Sequence, residues 1–130
     1  MLISLICEYV KSQASSKWLF AAVYYGGLAF CCYFTYLHIM ELREYSSNLM
    51  FNAAPNFLAV PITFAFAFPV ANDNRKVTAL FCALGVVGYE FMQLGMDERT
   101  FDSLDVLFSV IGYGFMLLAI KVEKKIASRF

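Results

Sequence analysis

From Trp18 to Met40 the chain runs 23 residues without an Asp, Glu, Lys or Arg. A bilayer's hydrocarbon core is ~30 Å thick and takes roughly 20 helical residues to cross, so this run is long enough to span one. His38 is its one strongly polar interruption, and Trp18, Tyr24 and Tyr25 fall toward one end, where amphipathic rings favour the lipid–water interface. Composition points the same way. Hydrophobic residues make up 61% of 130 positions and charged residues 15%, against ~45–50% and ~25% in soluble domains. Mean hydropathy is +0.64. A soluble fold of this size could not hide so much apolar surface, whereas lipid does not require it to be hidden.

Three further runs follow, and the expected fold is an all-α membrane protein, a bundle of four transmembrane helices. The expected spans are 18–40, 53–71, 77–96 and 104–122, inside one transmembrane domain over 18–122. The second run carries Pro55, Pro61 and Pro69. Pro55 suits a first helical turn, where its missing N–H is not needed. Pro61 removes an internal hydrogen bond and should kink the helix, and Pro69 should close it. The third run contains Glu90 and Gln93, and Lys121 can snorkel to extend the fourth. The N-terminal segment 1–17 is too short to span, because Glu8 and Lys11 interrupt its apolar start. It reads as a helix lying along the interface. Residues 123–130 read as a basic tail.

With four spans, both chain ends and the turn at Asn72–Lys76 share one side. That side holds Lys11, Lys17, Arg75, Lys76, Lys121, Lys124, Lys125 and Arg129, while the other holds Arg43 and Arg99. The positive-inside rule then puts both termini in the cytoplasm. Net charge is zero, and nothing in it points to nucleic acid. Cys7, Cys31, Cys32 and Cys82 form no CxxC and no zinc-type spacing. They read as small apolar packers, so no metal or other cofactor is expected.

The polar residues within and beside the spans gather on the extracytoplasmic side: His38, Asn52, Asn56, Glu90, Gln93, Arg99, Asp102 and Asp105. The cytoplasmic half reads as almost purely apolar. Ala79, Ala83, Val86, Glu90 and Gln93 recur at helical spacing, as do Asp105, Ser109, Gly112 and Met116. Small residues let membrane helices approach closely, and polar ones bond across the contact. The two seams are expected to face each other and bring Glu90 near Asp105. Tyr24, Gly27, Cys31, Phe34 and His38 form a comparable face on the first span. A carboxylate inside a span costs several kcal/mol unless protonated or paired. Glu90 therefore calls for a partner, with Arg99 and His38 the nearest candidates. Three readings stand side by side: a clamp that pins the loop after the third span, a binding or catalytic pocket, and a proton or ion carrier. Asp102 reads as the N-cap before Leu104.

The stretch Glu90–Gly112 resembles the signature of the VanZ-like family of small multipass bacterial membrane proteins. In that signature Glu-x-x-Gln on a helix is followed by a loop Arg, then by an Asp opening the last helix and a Gly within it. Glu90, Gln93, Arg99, Asp105 and Gly112 match. Ser109 stands where the family more often has Asn, and Met116 departs from a further glycine. Asn56 and Pro61 resemble the family's Asn…Pro feature on an earlier helix. The resemblance implies a multipass protein of the bacterial inner membrane, N-in and C-in, related to the cell envelope and antibiotic resistance; it implies no defined reaction. The ligand-binding set is expected to be Glu90, Gln93, Arg99, Asp105, Asn56 and His38, with an envelope lipid or its head group as ligand. Glu90 is the candidate acid or base, since burial moves a carboxyl toward that use. The alternatives are a non-catalytic accessory subunit, packed on a membrane-protein partner or on copies of itself, and a small proton-coupled transporter.

Overall fold

A computed structural model describes residues 16–70, 74–96 and 101–129. The described residues form four α-helices and no strand: α1 (Ser16–Tyr45), α2 (Leu49–Ala67), α3 (Arg75–Gln93) and α4 (Ser103–Ala127), with a single 3₁₀ turn at Phe68–Val70 after α2. Three of them, α1, α2 and α4, are long and apolar enough to cross a membrane. The 19 residues of α3 would extend about 28 Å, but Arg75, Lys76, Glu90 and Gln93 at its ends make it less apolar than the others. The expected interfacial helix at 1–17 falls almost wholly outside the described residues.

Several boundaries differ from those expected, each for a local reason. At 30 residues, α1 continues past Met40 through Glu41, Arg43 and Glu44, charged residues that a helix tolerates on an exposed final turn. The start of α2 lies at Leu49, because the Asn48 side chain caps it by accepting from the Met50 N–H at 3.0 Å. Pro55 therefore lies in the interior of α2 rather than in its first turn. At the far end α2 closes at Ala67, two residues before Pro69. For α4, Asp102 is the N-cap, accepting from the Leu104 N–H at 2.9 Å. That helix continues to Ala127, so most of the expected basic tail is its last turns.

At the centre, α2 packs against all three other helices, and α4 packs on α2 and α3. Most of α1's contacts are with α2; it meets α4 near one end. The buried face of α1 is Ala21, Tyr25 and Cys32. The expected face through Gly27, Cys31, Phe34 and His38 is exposed instead. The seams of α3 and α4 are buried as their spacing indicated, at Ala79, Ala83, Glu90 and Gln93 and at Ser109, Gly112 and Met116. Large apolar residues stand exposed along every helix, including Leu19, Phe30, Phe66, Phe81 and Leu118. Apolar exposure on all sides is compatible with a membrane protein.

Candidate functional site

A close approach of two helices lies under the polar cluster. Pro61 has no N–H, so the carbonyl of Phe57, four residues earlier, loses its helical partner. That oxygen faces Gly112, where a built Cβ would come within 2.7 Å of it and within 3.2 Å of Val60 Cγ2. Only a residue without a side chain lets α4 lie this close to α2.

Just beyond this contact, at the end of the bundle marked by Asp105, polar side chains from three helices meet. Asp105, two residues inside α4, has its side chain within interaction reach of Asn56 on α2 and Glu90 on α3. Glu90 is 3% exposed. Ser109, fully buried, donates to the Asp105 carbonyl at 2.9 Å. Gln93 is buried one turn beyond Glu90 on the same face. Asp102 and Arg43 both lie close enough to act electrostatically on Asp105. Arg43 Nε donates to Asn52 Oδ1 at 3.1 Å, which fastens the end of α1 to the start of α2.

The structure thus brings together Asn56, Glu90 and Asp105, with Gln93 buried alongside. It does not bring His38 there: His38 is exposed and lies 3.8 Å from Glu41, three residues on along α1. Arg99 lies outside the described residues. Arg43, placed on this side by the distribution of charge, was not among the expected site residues. It falls beyond the apolar run, and only the extension of α1 by a further turn carries it to the cluster.

A second polar cluster sits at the opposite end, where an apolar half was expected. Glu123, 2% exposed, accepts from Arg75 Nη1 at the start of α3. Tyr25 Oη on α1 donates to the same carboxylate at 3.5 Å, and Tyr24 Oη donates to the Ala119 carbonyl at 3.2 Å. The Arg75 guanidinium lies 5.9 Å from the Tyr25 ring centroid and 5.4 Å from that of Phe68. Its Nε is buried without a hydrogen-bond partner among the described residues, and the negative faces of the two rings offset part of that cost. Trp18 stacks on Phe68 at 6.2 Å, and Tyr25 meets Phe64 edge-on at 4.9 Å. One buried ion pair, wrapped in aromatic rings, therefore ties α1, α3, α4 and the turn after α2 together.

The described residues hold no group of three or more His, Cys, Asp or Glu able to bind a metal ion. Cys31 is exposed, Cys32 buried and Cys82 half-buried, and all three are free thiols. The chain matches no family model, no curated protein and no solved structure.

Proposed function

We propose that this chain is a four-span protein of the bacterial inner membrane, with both termini cytoplasmic, whose extracytoplasmic cluster binds the head group of an envelope lipid. The carrying observation is the meeting of Asn56, Glu90 and Asp105 from three helices at one end of the bundle. An apolar contact would hold these helices together at less cost, because ionisable groups inside a membrane are expensive and mark binding or transfer sites. The cluster is rich in acceptors, which suits a head group that presents hydroxyl or ammonium donors, and Arg43 suits its phosphate. The VanZ-like resemblance is in keeping with this reading, since the residues that carry it include Glu90, Gln93, Asp105 and Gly112. Glu90→Gln and Asn56→Ala, purified at matched expression, should lose retention of a donor-rich lipid when the lipids that co-purify are identified by mass spectrometry. They should also alter susceptibility to antibiotics that act on the envelope. An unchanged lipid profile together with unchanged susceptibility would count against the site.

A second reading, an accessory subunit, is favoured by one feature of α1. Gly26 and Gly27 have open space where a Cβ would stand, on a helix whose contacts are mainly with α2. A partner helix can approach closely there. Isolation from native membranes in a gentle detergent separates the readings, because an accessory subunit would come with a stoichiometric partner.

A further inference from the structure

The structure points to a second lipid site, on the outer face of α4 at the end opposite the Asp105 cluster: we propose that it binds a phospholipid with an anionic head group. At about 100° per residue, Leu107, Gly114, Leu118, Lys121 and Lys125 fall within roughly a 60° sector of the helix. Every one of them is exposed. The stripe begins apolar, with Leu107 51% and Leu118 59% exposed. Gly114 notches it, since nothing lies within 4 Å of a Cβ built there. It ends in Lys121 and Lys125, with Lys124 beside them. An acyl chain along the apolar part would place its phosphate at the lysines, whose alkyl stems can lie along the same surface.

Charge decides the class of head group. Glu123, the one acid on the last turns of α4, faces the other way, is buried and is held by Arg75. Lys121, Lys124 and Lys125 have no ionic partner among the described residues, and neither do Lys17 and Lys76, which are exposed at the same end. Cations grouped at the end of a spanning helix with no countercharge attract anionic lipid. The inward turn of Glu123 leaves the lysines without an acidic neighbour on the last turns of α4, and only the folded chain shows it.

Native mass spectrometry of the whole protein, titrated with phosphatidylglycerol or with phosphatidylcholine of the same acyl chains, tests the site. Phosphatidylglycerol should bind in preference. K121Q/K124Q/K125Q should weaken it roughly tenfold or more, while K121R/K124R/K125R should keep it, which separates charge from folding. Gly114→Leu should weaken both lipids by filling the notch. Glu41→Gln, exposed at the far end and outside the Asp105 cluster, should leave phosphatidylglycerol binding unchanged. Equal binding of the two lipids, or full retention by the triple Gln variant with its helix content intact, would overturn the proposal.

Discussion

Gly112 and Gly114 lie two residues apart on α4 and make opposite predictions. A methyl group at 112 meets the Phe57 carbonyl oxygen, whereas one at 114 meets nothing within 4 Å. Gly112→Ala should lower stability by about 1–3 kcal/mol, the usual cost of overpacking, and Gly114→Ala should stay within about 0.5 kcal/mol of the parent. Denaturant titration in micelles, followed by helical circular dichroism, reads both. Glu123 makes a sharper case. Glu123→Ala strands a largely buried guanidinium and should cost about 3–5 kcal/mol, while the paired change R75M/E123L should come close to neutral. The acid was hard to see in the sequence because it sits among lysines in Lys121–Lys125 and because its partner is 48 residues away. A signal was nonetheless present: the stripe Ser109, Gly112, Met116 that indicated Asp105, continued by steps of three and four, passes through Ile120 and reaches Glu123.

Among the elements, α3 and α4 were the most legible, because a run of small residues ending in a polar one at helical spacing has few ways to pack inside lipid. The orientation of α1 was not. Its residues are apolar on every side, so spacing alone could not distinguish the buried Tyr25 face from the exposed Cys31 face. What distinguishes them is the Tyr25 hydroxyl, which finds Glu123 only after α4 is in place. The boundaries of α2 misled for a different reason. Pro55 looks like a helix start, but the Asn48 cap, five residues before the expected span, sets the start instead. Asn48→Ala should therefore cost about 1 kcal/mol and loosen the first turns of α2. Amide hydrogen exchange should show faster exchange at Met50 to Asn52 than in the parent.

On the scale of the whole molecule, the two polar clusters lie at opposite ends of one bundle. The start of α1, the start of α3 and the end of α4 meet at the Arg75 cluster, which is the alternation expected for antiparallel neighbours. Single cysteines placed at Lys76 and Lys124, with the native four replaced by Ala, should react with a membrane-impermeant maleimide from the same side, and one placed at Ser103 from the other. Intact cells and inverted vesicles tell the sides apart. The expectation that both chain ends share one side rests on the segregation of Lys and Arg along the chain, and this labelling tests it. The unequal charge of the two ends also bears on assembly. Under the positive-inside rule, a chain with Lys and Arg gathered at one end would insert one way round, so copies in a membrane would all point in the same direction. Any self-association would then be side by side, with its rotation axis along the membrane normal, and head-to-tail pairs of inverted copies would be disfavoured before any contact between them is considered.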